Sequence, residues 1–328
     1  MNGITKTLAS AMLCIVFAQS SLAEYNELPF LVLYKNLNNF VTTDMQLRGK
    51  YIVKVDFEFN ELIAGDDIQN IFCNRAKSNQ SFSLFYVDYD SSHRKKMRWD
   101  LWKSSDKLSN DNMSTKKLYT IKMNGKDGQW TISEDGNNPV TQNNSNAEYT
   151  NRVDTAYGPL MFFLSYETGG SDMTYGGAMK YPAKIIFYRA EIYNDAGSLL
   201  HKLVPAEDTS VDIDNVKRYG LLDKAQNNKF YPNSGTRPLP RLHKDEHDGN
   251  LYRFVRGESY DAYGNLVRTV GSYNASTKAF NPDTKDRDYC FWSTKNNNST
   301  PESVADVGAV SKESDGSCPM EGTMVVIR

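Results

Sequence analysis

At 328 residues, with 38 basic against 40 acidic side chains and a formal charge of −2, the chain is long enough for one or two domains. Charge balanced this closely gives no electrostatic footprint for nucleic acid or for an anionic membrane surface. Tyrosine makes up 20 of the 328 residues and no long stretch repeats with helical period, so strands rather than helices are expected.

The N-terminus carries one charge, Lys6, then an apolar stretch from Leu8 to Ala18 and the small-residue site Ser21-Leu22-Ala23. This is the order of a cleavable secretory signal, expected to span residues 1–23. The apolar stretch is about eleven residues, short of the ~20 that cross a bilayer. Cys14 sits mid-segment behind Leu13 rather than a small residue, which is not a lipoprotein arrangement. No membrane span is expected in the mature chain, whose net charge is about −3 once Lys6 is gone. The expected location is secreted, periplasmic or cell-surface.

In Tyr51-Ile52-Val53-Lys54-Val55-Asp56-Phe57-Glu58-Phe59 the odd positions are apolar, the pattern of a half-buried strand whose Asp56 and Glu58 face solvent. Ser81 to Tyr89 reads as a strand apolar on both faces, and His93-Arg94-Lys95-Lys96 as a solvated turn. Trp99 and Trp102 are aromatic surfaces of the kind that stack on sugar rings, although at least one is expected to pack in the core. Leu118 to Met123 and Gln129 to Ser133 flank Asn124-Gly125, a hairpin signal. Residues 137–151 are rich in Asn and Thr and read as a surface loop. Pro159 to Tyr166 and Lys184 to Tyr193 are the most apolar strands and are placed at sheet centres; Asn194-Asp195-Ala196-Gly197 then turns the chain into Leu199 to Val204. Short strands separated by turn signals predict an all-β sandwich of two antiparallel sheets over residues 24–242.

From His243 the character changes. Residues 243–328 are expected to form a small β and irregular extension, with a hairpin of Leu251 to Arg256 against Leu266 to Tyr273. Tyr260-Asp261-Ala262-Tyr263-Gly264-Asn265-Leu266 reads as a hairpin turn. Outside the leader there are three cysteines, and in an oxidising compartment Cys290 and Cys318 are the natural pair. Cys73 reads as a buried thiol outside that bridge. The sequence lacks Cys-x-x-Cys, Gly-x-Ser-x-Gly, His-Glu-x-x-His and a phosphate-binding glycine loop. No cofactor, catalytic residue or metal ligand is therefore assigned; calcium at Asp88 and Asp90, or at Asp212 and Asp214, is the one ion considered.

The most specific stretches come late: Lys184 to Tyr193, Gly197 to Ala206 with Leu203-Val204-Pro205-Ala206, Tyr219-Gly220-Leu221-Leu222-Asp223-Lys224 and Asn228 to Thr236. Their order resembles the closing portion of LamG-like jelly rolls in the concanavalin A-like lectin/glucanase superfamily of bacterial secreted proteins. The resemblance covers about Phe30 to Leu242 and implies a two-sheet jelly roll. It places Gly220 and Gly235 in turns, Asp223 on its own loop backbone, and Leu203, Val204, Leu221, Leu222 and Phe230 in the core. Glucanases of that superfamily carry alternating acids on one strand; here the nearest match, Asp56-x-Glu58, has the wrong order and lies in an early strand. The resulting expectation is a non-enzymatic binding protein for glycan or another surface polymer, with Trp99, Trp102, Tyr166 and Tyr175 as candidate ligand contacts. A structural or adhesive envelope component engaging protein partners is the second reading, and a glycoside hydrolase the third. N-terminal sequencing of the exported protein is expected to begin at Glu24, and non-reducing peptide mapping to recover Cys290 linked to Cys318; a bridge through Cys73 would overturn that pairing.

Overall fold

The computed structural model describes residues 25–35, 37–59, 62, 67–74, 82–101, 106–143, 156–166, 179–211, 215–236, 242–244, 251–255, 258–261, 266–274, 276–277, 279–283, 285, 289–293, 307–315 and 317. Among them the chain forms strands and no helix, hence no helix long and apolar enough to cross a membrane. The strands are β1 (Tyr25–Glu27), β2 (Leu31–Val32), β3 (Val41–Arg48), β4 (Ile52–Phe59), β5 (Asp67–Cys73), β6 (Phe82–Asp88), β7 (Lys96–Leu101), β8 (Asp106–Leu108) and β9 (Tyr119–Asn124). They continue as β10 (Gln129–Glu134), β11 (Val140–Asn143), β12 (Ala156–Phe162), β13 (Ser165–Tyr166), β14 (Met179–Lys180), β15 (Ile185–Tyr193), β16 (Leu199–Asp208), β17 (Tyr219–Asp223) and β18 (Lys229–Pro232). The remainder are β19 (Leu242–Lys244), β20 (Leu251–Val255), β21 (Glu258–Asp261), β22 (Leu266–Thr269), β23 (Gly271–Asn274), β24 (Ala279–Pro282), β25 (Tyr289–Ser293) and β26 (Val307–Ser311).

Two antiparallel sheets form a jelly-roll sandwich. A ten-stranded sheet runs β11-β10-β9-β4-β15-β16-β17-β18, with β1 paired to β16 and β2 to β15. A six-stranded sheet runs β3-β12-β5-β6-β7-β8. The chain passes repeatedly between layers, from β3 to β4, back to β5, and later from β8 to β9, β11 to β12 and on to β15. Consequently β4 and β15, far apart in sequence, pair along nearly their whole length (Ile52↔Tyr193 to Phe59↔Ile185).

Alternation explains the core. Val53, Val55, Phe57 and Phe59 are at most 1% exposed, as the strand pattern requires, and half-buried Tyr51 packs at the edge of the same cluster. Rings meet across the sandwich: Trp99 of β7 lies 6.0 Å from Trp130 of β10, Phe59 of β4 lies 5.0 Å from Tyr86 of β6, and Phe162 of β12 lies 5.9 Å from Phe187 of β15. Both indole N–H groups are buried without a hydrogen-bond partner, a cost of about 1–3 kcal/mol each that the buried area of rings this large offsets.

The fine structure departs from the sequence reading in several places. Pro159 to Tyr166 is not one strand. Phe163, fully buried with φ of 71°, breaks it into β12 and β13, while its N–H still donates to the Ile71 carbonyl (3.0 Å). Within the expected 137–151 loop, residues 140–143 instead pair with β10 as edge strand β11. Gly220 and Gly235 are not needed for turn conformation. A Cβ at Gly220 would stand 2.1 Å from the Tyr231 carbonyl oxygen, and one at Gly235 would stand 1.6 Å from that of Asn38, so close backbone approach demands glycine. Leu203, Leu221 and Leu222 are buried as expected, Leu222 on the opposite face from Leu221, whereas Val204 and Phe230 are only half-buried and Phe230 stacks on Tyr25 at 5.0 Å. Asp223 meets its expectation: fully buried, it accepts from the N–H groups of Lys202 (3.0 Å) and Ala225 (3.1 Å), with the other oxygen 2.6 Å from His201 Nδ1.

Beyond the sandwich, β19-β20-β21-β22 form a four-stranded meander, and β23 pairs with β24 and β25 with β26. The expected partner of Leu251 to Arg256 is displaced: β21 intervenes, pairing with β20 on one side and with β22 on the other, where Tyr260 stands opposite Leu266. Val270 and Phe291 form a small core there, with the Arg268 guanidinium 4.7 Å from the Tyr289 ring centroid. Phe187→Ala, which removes a ring touching both Phe162 and Phe163, is expected to lower unfolding free energy by about 3–5 kcal/mol in urea titration. Leu199→Ala, at an exposed position, should change it by no more than about 0.5 kcal/mol.

Candidate functional site

With the odd residues of β4 inside the sandwich, Lys54, Asp56 and Glu58 project from the outer face of the ten-stranded sheet. The neighbouring strand β15 would ordinarily offer one outward side chain for every two residues. A bulge between Phe187 and Arg189 changes this, and both Tyr188 and Arg189 face outward. Each engages one acid of β4: Arg189 Nε donates to Asp56 Oδ2 at 2.5 Å, and the Tyr188 hydroxyl donates to Glu58 Oε1. The carboxylate in turn holds the Arg189 guanidinium above its ordinary range. The expectation of solvated acids is corrected here, because Asp56 is 4% exposed and its Oδ1 is buried without a hydrogen bond.

One row further along, register aligns Lys202 of β16, Glu191 of β15, Lys54 of β4, Lys122 of β9 and Thr131 of β10. Glu191 lies 3.7 Å from Lys54 Nζ and accepts the Tyr193 hydroxyl at 2.8 Å. Burial first, then the adjacent Glu191 carboxylate, push the Tyr193 phenol up. Lys122 is exposed and, among the described residues, has neither a hydrogen bond nor an ion pair. Beyond this row a cleft of about 430 Å³ opens between Ile52, Lys54, Lys122, Tyr193 and Gly197. Its rim is made by the β9–β10 and β15–β16 turns, which lie on either side of the start of β4 and are tied by Lys126 Nζ to the Asp195 carbonyl at 3.3 Å. Gly197, with φ of 82°, lets the second turn close as the sequence predicts. The cleft therefore combines an aromatic ring, ammonium groups and an apolar floor, in the size range of about 300–1,000 Å³ typical of small-ligand sites.

The residues singled out from sequence fall elsewhere. Trp99 is overturned as a ligand contact: it is fully buried between the sheets against Phe82 and Trp130, which meets the expectation that at least one of the two tryptophans packs in the core. Trp102 and Tyr175 lie outside the described residues, as does the side chain of Tyr166, whose backbone forms part of β13. Of the proposed calcium pairs, Asp88 is buried and accepts the Tyr86 hydroxyl (3.3 Å). Asp90 binds its own turn through the Ser92 hydroxyl and the N–H groups of Ser92 and His93, which hold its carboxyl well below the usual range. His93, Arg94 and Lys95 lie in the turn expected of the basic cluster, with His93 stacked on Tyr89 at 4.3 Å, whereas Lys96 opens β7. Asp212 and Asp214 lie outside the described residues, among which no three His, Cys, Asp or Glu side chains converge. Cys73 carries a buried thiol directed at the Leu164 carbonyl (3.6 Å). Cys290 is buried on β25, and Cys318 lies outside the described residues. The cleft residues were missed because a lysine on an amphipathic strand carries no signal of its own; pairing Lys54 with Lys122 requires the β4–β9 register.

No protein-family model matches the chain, and no curated protein matches it. Among solved structures it is similar to a heptameric SAP-like pentraxin from Limulus polyphemus, at 14% identity over 50% of this chain and 75% of that one, with a TM-score of 0.35. It is also similar to the CBM40 domain of the Ruminococcus gnavus IT-sialidase bound to α2,3-sialyllactose, at 10% identity over 52% of this chain and 89% of that one, with a TM-score of 0.29. A third is the K499G mutant of NanB sialidase from Streptococcus pneumoniae, at 10% identity and a TM-score of 0.32, where the match covers 80% of this chain and 55% of that one.

Arg189→Ala is expected to cost about 1–3 kcal/mol in urea unfolding, since it strands a buried carboxylate. Adding Asp56→Ala to it should cost less than the sum of the two single changes, and additivity would mean that the pair is not coupled.

Proposed function

We propose that this protein is an exported, non-enzymatic carbohydrate-binding protein built on a LamG-like jelly roll, and that it holds its ligand in the outer-face cleft of the ten-stranded sheet. The observation that carries this reading is the cleft itself, where the Tyr193 ring stands beside Lys54 and Lys122. Sugar recognition needs an apolar ring face for the pyranose and a few placed polar groups for its hydroxyls. The outward-facing acids of β4 and β15 are already engaged: Asp56 by Arg189, Glu58 by Tyr188 and Glu191 by Tyr193. This favours binding over hydrolysis by an acid pair, whose members must reach a glycosidic bond. The sialyllactose named for the CBM40 structure agrees in kind with a glycan ligand, without bearing on which glycan this chain takes.

The mature chain is expected to retain glycans on an array, and Tyr193→Ala to reduce retention about tenfold or more, equivalent to about 1.4 kcal/mol or more. The circular dichroism spectrum of the variant should show that the fold is retained. Silence of the parent across plant, animal and bacterial glycans would overturn the reading.

A further inference from the structure

Lys54 and Lys122 stand directly opposite one another on β4 and β9. Cross-strand partners have Cβ atoms about 4.5–5.5 Å apart, and like charges placed so are destabilising unless something sits between them. The protein provides little compensation. Glu191 is the one acid in the row; it reaches only Lys54, at 3.7 Å, and is shared with the Tyr193 hydroxyl and flanked on its other side by Lys202. Three ammonium groups therefore meet one carboxylate, on a chain whose overall charge is −2. Elsewhere on the same face Arg189 is paired with Asp56. The excess lies at the mouth of the cleft, where Lys122 is exposed and Lys54 forms part of the wall.

We propose, resting on the carbohydrate-binding reading above, that the cleft selects acidic saccharides. The carboxylate of a uronic or sialic residue would sit between Lys122 and Lys54, with the sugar ring against Tyr193. Such a group restores the missing charge in the row. An ammonium also suits it: Lys acts as a point charge with rotatable donors, able to follow a carboxylate whose orientation varies along a polymer.

The test is calorimetric titration of the mature chain at low ionic strength with trigalacturonate and with sialyllactose. Their uncharged counterparts, carboxyl-reduced trigalacturonide and lactose, serve as paired controls. At least one acidic probe is expected to bind about tenfold or more tightly than its neutral counterpart, with the difference shrinking as salt screens the lysines. Lys122→Gln, a change at an exposed position, should abolish that preference while leaving the circular dichroism spectrum and melting temperature intact. Equal affinity for acidic and neutral probes would overturn the inference and leave carbohydrate binding standing. Preference for a sulfated over a carboxylated oligosaccharide, or a carboxylate preference that survives Lys54→Gln combined with Lys122→Gln, would also overturn it. Failure of every glycan, neutral or acidic, would remove both readings together.

Discussion

The two sheets are joined by rings that meet across the middle of the sandwich, Trp99 with Trp130, Phe59 with Tyr86 and Phe162 with Phe187. Each pair takes one member from each sheet, so the contacts set the parity of the strands that carry them. Side chains alternate with a period of two, and a slip of one residue would expose every ring and bury every charge. Once Phe59 faces inward, Lys54, Asp56 and Glu58 must face outward. Once Phe187 does, Ile186 and Tyr188 must too. The chemistry of the outer face is thus a by-product of packing in the core.

The bulge between Phe187 and Arg189 relaxes this strict alternation in β15. It yields two successive outward residues, and both are spent holding the acids of β4. Beyond it the alternation resumes with Ala190 inward and Glu191 and Tyr193 outward. The outer face therefore divides into a matched half, where each acid has a partner, and an unmatched half around Lys122. Position along a single strand pair, rather than any loop, separates the two.

Much of this architecture is legible in the sequence. The alternation of Tyr51 to Phe59, the hairpin at Asn124-Gly125 and the turn at Asn194 to Gly197 all report local preferences, and local preferences survive folding. What escapes is anything settled by a distant neighbour. Gly220 and Gly235 look like turn residues, yet their glycines answer to carbonyls at Tyr231 and Asn38. Asp56 looks solvated until Arg189, well over a hundred residues later, is brought against it. Trp99 is equally plausible as a platform or as a core ring, and only its position opposite Trp130 decides. The cleft is the extreme case: no single motif holds its five residues, and they converge through three separate strand pairings.

The first strands of the sandwich have partners only near its end. Tyr25 pairs with Asp208, Leu31 with Phe187, and the segment around Phe40 is clasped by Asn233 and Ser234. Closing loops of this length costs entropy before any contact returns it, which makes such topologies slow to form. A partly emerged chain has no edge on which β1 and β2 can settle, so the sandwich cannot be completed piecemeal from its N-terminus. Docking of β1 and β2 therefore waits for β15 and β16, and closure around Phe40 waits for Asn233 and Ser234.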